Sequence, residues 1–259
     1  MIAFRDVSIH RGALCVAERI SLTLERGRVH AVLGPNGAGK SSLMKALFGE
    51  LPHAGEIRFE DSVLRAGHLM AWRKPLGYMP QDTVVDASLT ALEVVLLGQM
   101  DSLGMRISDE QLARAVAMMD RLGIAHLASR DVLQLSGGQR QMVMFAQVLL
   151  REPQVLMLDE PVSALDMHHQ CVLLEEVRRH TRERNLITLM ILHDLNLAAQ
   201  FADHIFLLAN AGIQAQGSPQ EVLQQEVVER LYRVEIALMH NADGQPVVIP
   251  QRAIRDVLS

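Results

Sequence analysis

Short runs of apolar residues alternate with stretches of helical spacing along much of this chain. Three of these runs, at 29–33, 155–158 and 187–192, have the length of strands and are apolar at nearly every position. Continuous apolar strands of this kind are typical of parallel sheets that are covered on both faces. Polar residues follow each run, and open α/β sheets bind their ligands at the carboxyl ends of strands. The pattern therefore predicts an α/β fold with its chemistry along that edge.

The segments outside these strands follow other patterns. Residues 2–24 alternate as antiparallel strands do, whereas residues 88–150 carry apolar positions at helical spacing. The clearest helical stripe in that stretch consists of Leu112, Ala115, Val116, Met119 and Leu122. We therefore expect an antiparallel β-subdomain at the start of the chain and a helical subdomain inserted into the sheet.

The last part of the chain predicts a strand, a helix and a hairpin. Residues 205–208 form a further apolar run. A helix is expected to open at Ser218, because Glu221 stands three residues later, as in a capping box, and Pro219 occupies the first turn. Residues 234–249 surround a turn-forming segment and predict a hairpin.

Composition narrows the class of protein. The chain has 259 residues, 49% of them apolar, and its 25 Lys and Arg against 30 Asp and Glu give a net charge of -5. That balance argues against a nucleic-acid partner, which needs a basic surface. Cys15 and Cys171 are too few for a disulfide scaffold and make a Cys-based zinc site improbable. We also expect neither a signal peptide nor a membrane span, since no run approaches about 18 apolar residues.

The loop after the first apolar strand predicts a phosphate site. Gly34, Gly39, Lys40 and Ser41 stand at the spacing of the Walker A motif, between a strand and a helix. Glycines let backbone N–H groups turn toward phosphates, an exposed Lys40 would reach the β- and γ-phosphates, and Ser41 can ligate Mg²⁺. The predicted ATP-binding residues of this loop are Gly34, Pro35, Asn36, Gly37, Ala38, Gly39, Lys40, Ser41 and Ser42.

Two carboxylates and a second loop complete the candidate chemistry. Asp159 and Glu160 end the apolar run at 155–158; in a phosphate-loop enzyme the first completes the Mg²⁺ shell and the second polarises the attacking water. Residues 135–139 read Leu-Ser-Gly-Gly-Gln and precede a helix expected over 140–150. Unpaired N–H groups and the Ser136 hydroxyl at that positive helix end predict a second anion site.

Taken together, these motifs resemble the nucleotide-binding subunit of ATP-binding cassette (ABC) transporters. Three more landmarks of that family follow in order: Gln81 of the Q-loop, residues 163–166 of the D-loop, and His193 of the switch segment. The resemblance covers essentially the whole chain. It implies a phosphate-loop NTPase (RecA-like) core sheet with an N-terminal antiparallel β-subdomain and an inserted helical subdomain.

The resemblance also assigns roles to residues. It implies that Glu160, His193 and Gln81 are catalytic, and that Ser41, Gln81 and Asp159 hold Mg²⁺. The residues expected to bind the ATP of an opposite subunit are Ser136, Gly137, Gly138 and Gln139. The family usually stacks adenine on an aromatic side chain near the first strands; this chain offers His10 or Arg11 there.

Partners follow from the same resemblance. It implies a head-to-tail homodimer with ATP between the subunits, bound at the cytoplasmic face of the inner (cell) membrane to integral-membrane permease subunits. A periplasmic or extracellular substrate-binding protein would take part indirectly. We expect the permease to contact residues 82–103, which join the Q-loop to the inserted helices. The implied division is a single ABC ATPase domain over 1–259, with 1–87 and 151–217 as β-subdomain and core, 88–150 as helical subdomain, and 218–259 as C-terminal helix and hairpin.

Several segments resemble one branch of the family in particular. Residues 92–98, 193–199 and 217–223 resemble the ATPases of haem, ferric-siderophore and cobalamin importers. We therefore expect an ATPase that powers the uptake of an iron complex, haem or a ferric siderophore. Two alternatives stay open: the ATPase of another ABC system, for cobalamin, zinc or manganese or for export, and a regulatory module that binds ATP without driving transport.

Overall fold

The computed structural model describes residues 1–81, 88–102 and 107–254. The strands are β1 (Ile2–Arg11), β2 (Leu14–Leu24), β3 (Arg28–Leu33), β4 (Ala54–Phe59), β5 (Ser62–Val63), β6 (Leu76–Met79), β7 (Val155–Asp159), β8 (Ile187–Ile191), β9 (His204–Ala209), β10 (Gly212–Gly217), β11 (Val234–His240) and β12 (Pro246–Ala253). The α-helices are α1 (Lys40–Phe48), α2 (Leu69–Arg73), α3 (Ala91–Leu96), α4 (Asp109–Arg121), α5 (Gly137–Leu150), α6 (Met167–Glu183), α7 (Leu195–Phe201), α8 (Pro219–Val222) and α9 (Gln225–Tyr232).

A six-stranded sheet forms the centre of the molecule, in the order β10-β9-β3-β8-β7-β6. β9, β3, β8, β7 and β6 run parallel, and β10 joins the edge antiparallel to β9. Every residue of β7 and β8 is buried, which confirms two of the predicted apolar strands. Because neighbouring side chains point to opposite faces, Leu156 and Leu158 pack on one side of the sheet and Met157 on the other.

Two hydrophobic cores lie on the two faces of this sheet. On one face, the antiparallel sheet β2-β1-β4-β5 and helix α1 enclose a core that includes Phe4, Met44 and Met157. On the other face, α3 to α7 and the C-terminal elements cover the sheet around Leu156 and Phe145. The predicted fold class is therefore confirmed: the parallel sheet lies between an antiparallel β-subdomain on one face and helices on the other.

The inserted helices differ from the sequence prediction in two details. Helix α5 begins at Gly137 rather than Arg140, because Ser136 caps it: the Ser136 hydroxyl accepts the Gln139 N–H and the Gln139 side chain accepts the Ser136 N–H. On α4, Leu112 and Val116 are 40% and 41% exposed. The buried stripe of α4 consists of Gln111, Ala115, Met118 and Met119, followed by Leu122.

The C-terminal part contains two short helices rather than one. Helix α8 opens with the predicted capping box of Ser218 and Glu221, but it ends at Val222, and α9 follows. The hairpin β11–β12 is confirmed and extends to Ala253. Within the described ranges, every helix is too short or too polar to cross a membrane.

Candidate nucleotide site

The phosphate loop runs from β3 to α1 and needs glycine at two positions. Gly34 has a φ of 146°, and a Cβ there would lie 1.9 Å from the Leu208 carbonyl oxygen. Gly39 has a φ of 93°, and a Cβ would lie 2.3 Å from the Val16 carbonyl oxygen. The loop is thus wedged between β9 and β2 at positions where a side chain would collide with backbone.

Lys40 is buried, contrary to the expectation of an exposed side chain. It is 6% exposed, and its Nζ donates to the carbonyl oxygens of Gly34 at 2.8 Å and Pro35 at 3.0 Å. Burial lowers the pKa of Lys40, while the nearby carboxylates of Glu160 and Asp159 act in the opposite direction. The loop therefore folds back over its own lysine and holds the ammonium group in place, ready to bind an anion.

Ser41 and Asp159 form a pair of oxygen donors beside this lysine. The Ser41 hydroxyl donates to Oδ1 of Asp159 at 3.2 Å, and Asp159 is buried at the end of β7. Burial raises the pKa of Asp159, and the Ser41 hydrogen bond partly offsets that shift. A hydroxyl and a carboxylate held together in this way fit Mg²⁺, which prefers hard oxygen ligands. Held by these two oxygens, Mg²⁺ would supply positive charge that neutralises the phosphates of a bound nucleotide.

Glu160 stands in a left-handed backbone conformation, with a φ of 54°. Its backbone is fixed at both ends: the N–H donates to the Ile191 carbonyl at 3.2 Å, and the carbonyl accepts from Gln141 Nε2 at 3.0 Å and Ser163 Oγ at 3.1 Å. Such a conformation costs a non-glycine residue free energy and persists where its surroundings impose it. These three bonds turn the side chain away from the strand and into the cleft.

The Glu160 carboxylate contacts two of the predicted catalytic residues. Gln81 Nε2 donates to Oε2 at 3.0 Å, and His193 Nε2 lies 2.5 Å from Oε1. The Glu160 side chain is 12% exposed, whereas His193 is 45% exposed. A largely buried carboxylate in the wall of a cleft can act as a general base toward water, and the more exposed histidine lies beside it.

These residues line one cleft of about 580 Å³. The predicted residues in its wall are Asn36, Gly37, Ala38, Gly39, Lys40, Ser41, Ser42, Gln81, Glu160 and His193. Arg11, Leu14 and Val16 extend the wall beyond the phosphate loop, with Arg11 opposite Leu14 across the β1–β2 turn. Among the described residues, His10 is not part of that wall. Of the two candidates for stacking on the adenine ring, the structure therefore favours Arg11.

The four residues of the second predicted loop lie elsewhere. Ser136, Gly137, Gly138 and Gln139 line a separate cleft of about 590 Å³, together with Ala164, Leu165 and Asp166 of the D-loop. Among the described residues, the walls of the two clefts have none in common. The structure therefore groups the predicted site residues into two sets and does not bring those sets together within one chain.

Sequence reasoning missed Gln141, which joins the two regions. From the second turn of α5, its side chain donates to the Glu160 carbonyl and accepts the Ala164 N–H at 3.2 Å. Both partners are backbone groups, so no pattern of side chains in the sequence pointed to them. Its position two residues after Gln139, on the helix that the second loop caps, was the available signal.

Comparisons with known proteins identify the family of this chain. The family profile described as ABC transporter matches residues 17–163. The chain is 40% identical to the hemin import ATP-binding protein HmuV of Myxococcus xanthus (strain DK1622), over 95% of this chain and 96% of that protein. It is 35% identical to HmuV of Plesiomonas shigelloides, over 92% and 97% of the two chains.

Solved structures share the fold. A metal-chelate type ABC transporter in an inward-facing conformation superposes with a TM-score of 0.80 at 24% identity, covering 96% of this chain and 97% of that one. The ATP-binding subunit of an ABC transporter gives 0.78 at 26% identity, covering 90% and 98%. With the profile and the full-length relatives, these findings confirm the resemblance: this chain belongs to the ABC transporter family, as one of its ATPase subunits.

Proposed function

We propose that this chain powers the import of hemin through a membrane permease. The observation that carries the proposal is the similarity to hemin import ATP-binding proteins, at 40% and 35% identity over nearly the full length of each protein. Of the two iron complexes expected from the sequence, those names support haem. The contacts among Gln81, Glu160 and His193 favour an ATPase that drives transport over a module that only binds ATP.

Growth on different iron sources tests the cargo. A strain that lacks this chain should fail to grow with hemin as its iron source and should grow normally on a ferric siderophore. The wild-type chain should restore growth on hemin, and a hydrolysis-deficient chain should not. Growth on hemin without the chain, together with failure on the siderophore, would assign it to a different iron complex.

We further propose that ATP and Mg²⁺ bind between two copies of the chain arranged head to tail. The two separate clefts support this arrangement, because each carries half of the expected phosphate contacts. In the first cleft, Lys40 and the loop amides would bind the phosphates, while Ser41, Asp159 and Gln81 would hold Mg²⁺. In the second, the start of α5 would offer N–H groups and the Ser136 hydroxyl to the nucleotide of the partner.

Within such a site, Glu160 would accept a proton from the attacking water. Its carboxylate already contacts Gln81 and His193, and all three side chains line the same cleft as the phosphate loop. His193 would contact the γ-phosphate. Closure of two copies would exclude bulk water around the charges that develop during phosphoryl transfer.

A single substitution tests both proposals about the site. Glu160→Gln removes the charge and keeps the size, so turnover should fall by about 10²–10⁴-fold, as for loss of a general base. ATP binding should survive, and size-exclusion chromatography with ATP and Mg²⁺ should show a stable dimer.

A second variant tests the contact between copies: adding Ser136→Ala to Glu160→Gln should weaken that dimer. The exposed Glu175→Gln is the matched control and should behave as wild type. A Glu160→Gln chain that stays monomeric with ATP bound would contradict the arrangement.

We propose a peripheral position at the membrane and contact with the permease around residues 82–103. Residues 82–87 and 103 of that stretch lie outside the part of the chain that the structure describes, so this contact stays a prediction. We likewise propose the division into 1–87 and 151–217 as β-subdomain and core, 88–150 as helical subdomain, and 218–259 as C-terminal helix and hairpin. We also propose that a substrate-binding protein acts on this chain indirectly, through the permease.

A further inference from the structure

Helix α7 begins at Leu195, two residues after His193. Asp194 caps it: Oδ1 of Asp194 accepts the N–H of Asn196 at 2.7 Å and of Leu197 at 3.1 Å. His193 therefore precedes a rigid turn whose first residues are fixed by that cap. The position of its imidazole depends on where this first turn lies.

The side chain of Asn196 attaches this turn to the C-terminal hairpin. Its Nδ2 donates to the Val248 carbonyl at 3.1 Å, and its Oδ1 accepts the Val248 N–H at 2.7 Å. Within the described ranges, β12 pairs with β11 on one edge, and this amide lies along its other edge. A primary amide offers one donor and one acceptor side by side, so it binds the strand as a neighbouring backbone would.

The hairpin is itself firmly anchored. Ile236 and Val248 are buried in the core that covers the helical face of the sheet. From α9, Glu229 accepts the Ile236 N–H at 3.0 Å and Gln225 donates to its carbonyl at 3.1 Å. Side chains of α9 thus bond to the backbone of β11, just as the Asn196 side chain bonds to the backbone of β12. The hairpin can therefore serve as a fixed support for α7.

The same C-terminal unit also reaches the phosphate loop. The Tyr232 hydroxyl, at the end of α9, is buried, and burial raises its pKa to about 12. The backbone of Gly34 lies close enough to oppose that shift. The Tyr232 hydroxyl thus lies near the backbone at the start of the phosphate loop, and the hairpin bonds to the segment after His193 through Asn196.

We propose that Asn196 is a positioning residue for hydrolysis, which holds the first turn of α7 on the hairpin and thereby places His193 against Glu160. This inference rests on the proposed role of His193. Asn196 is not among the described residues of the nucleotide cleft, so its effect should fall on turnover rather than on binding. Small losses of alignment are costly in rate when reacting groups must be held in place.

Asn196→Ala tests the proposal. We expect kcat for ATP hydrolysis to fall about tenfold, with the KM and the Kd for ATP unchanged within about twofold. Asn241→Ala is the matched control, since Asn241 bonds within the hairpin turn, to residues 243 and 245, and its loss should leave kcat unchanged. Asn196→Asp keeps the shape of the side chain but replaces the donor to the Val248 carbonyl with an acceptor oxygen. It should therefore also lower kcat, with less disturbance of packing than Asn196→Ala.

A double-mutant cycle with His193→Ala separates this role from a structural one. In the His193→Ala background, Asn196→Ala should have no further effect on single-turnover hydrolysis. If His193→Ala hydrolyses ATP as wild type does, the proposed role of His193 fails. If His193→Ala is slow but Asn196→Ala is not, or if the two effects multiply, the positioning role of Asn196 is overturned while the proposed function stands.

Discussion

At the scale of a single residue, Lys40 stabilises the loop around it, and we propose that it also binds the phosphates of ATP. Its ammonium bonds the Gly34 and Pro35 carbonyls, so Lys40→Ala removes the cation and leaves two acceptors without their donor. Charge-assisted hydrogen bonds contribute about 1.5–3 kcal/mol, and we expect ATP affinity to fall on the order of 10²-fold, measured by nucleotide titration. The exposed Lys74→Ala should bind ATP as wild type does. Wild-type affinity of the Lys40→Ala chain would contradict the assignment of the loop.

The carboxylate of Asp159 lowers the stability of the fold, although we propose that the same charge binds Mg²⁺. Burial raises its pKa, so the folded chain binds a proton more tightly than the unfolded chain, and ionised Asp159 destabilises the fold at neutral pH. Asp159→Asn removes that charge. We expect a higher melting temperature for the nucleotide-free chain at pH 7, together with a loss of the Mg²⁺ dependence of ATP binding. A lower melting temperature with Mg²⁺ dependence intact would contradict both roles.

The sequence predicted most of these residues because phosphate binding is local chemistry. The loop at 34–41 supplies its own glycines, lysine and serine, and spacing alone identifies them. Spacing could not predict that Lys40 is buried by the loop around it. It also could not choose between His10 and Arg11, since that choice follows from which of the two side chains lines the folded cleft.

At the scale of elements, the approach of α5 to the segment after α3 depends on one glycine. A Cβ on Gly98 would lie 2.2 Å from the Gln147 carbonyl oxygen in the last turn of α5. Gly98→Ala should therefore push these segments apart and lower the free energy of unfolding by about 1–3 kcal/mol, as overpacking does. Denaturant unfolding measures the change. Gly67→Ala is the matched control, because nothing lies within 4 Å of a Cβ there, and it should unfold as wild type does.

Element boundaries show why helices were easier to detect than to delimit. Ser218 predicts the start of α8 correctly, because Pro219 and Glu221 complete the pattern of a capping box. The sequence predicts a start of α5 at Arg140, three residues after the observed start at Gly137, because two consecutive glycines have a low helix propensity. The capping box of Ser136 and Gln139 overrides that preference and makes those glycines the first turn of the helix.

At the scale of the whole molecule, a buried histidine should make the fold sensitive to acid. His30 is buried on β3; its Nε2 accepts the Glu25 N–H at 3.0 Å and its Nδ1 donates to the Thr188 carbonyl at 3.1 Å. Burial lowers its pKa from 6.5 to about 4. The unfolded chain thus binds the extra proton between those two pH values, and stability falls as pH drops through that window.

The lost stability should reach about 3 kcal/mol near pH 4, at about 1.4 kcal/mol for each unit of pKa difference. Urea unfolding at pH 7 and pH 4 measures it. His30→Gln should flatten the dependence, whereas His10→Gln, on an exposed position of β1, should leave it unchanged. An equal pH dependence in wild type and His30→Gln would show that other groups cause the acid sensitivity.

The two clefts on one chain have a consequence for genetics. A chain with Lys40→Ala has a damaged phosphate loop and an intact start of α5, whereas a chain with Ser136→Ala has an intact phosphate loop and a damaged start of α5. If ATP binds between copies, a mixed pair contains one site built from two sound halves and one built from two damaged halves. Two inactive alleles expressed in one cell should then complement each other and restore part of the transport that each has lost alone, whereas doubling the dose of either allele should restore none.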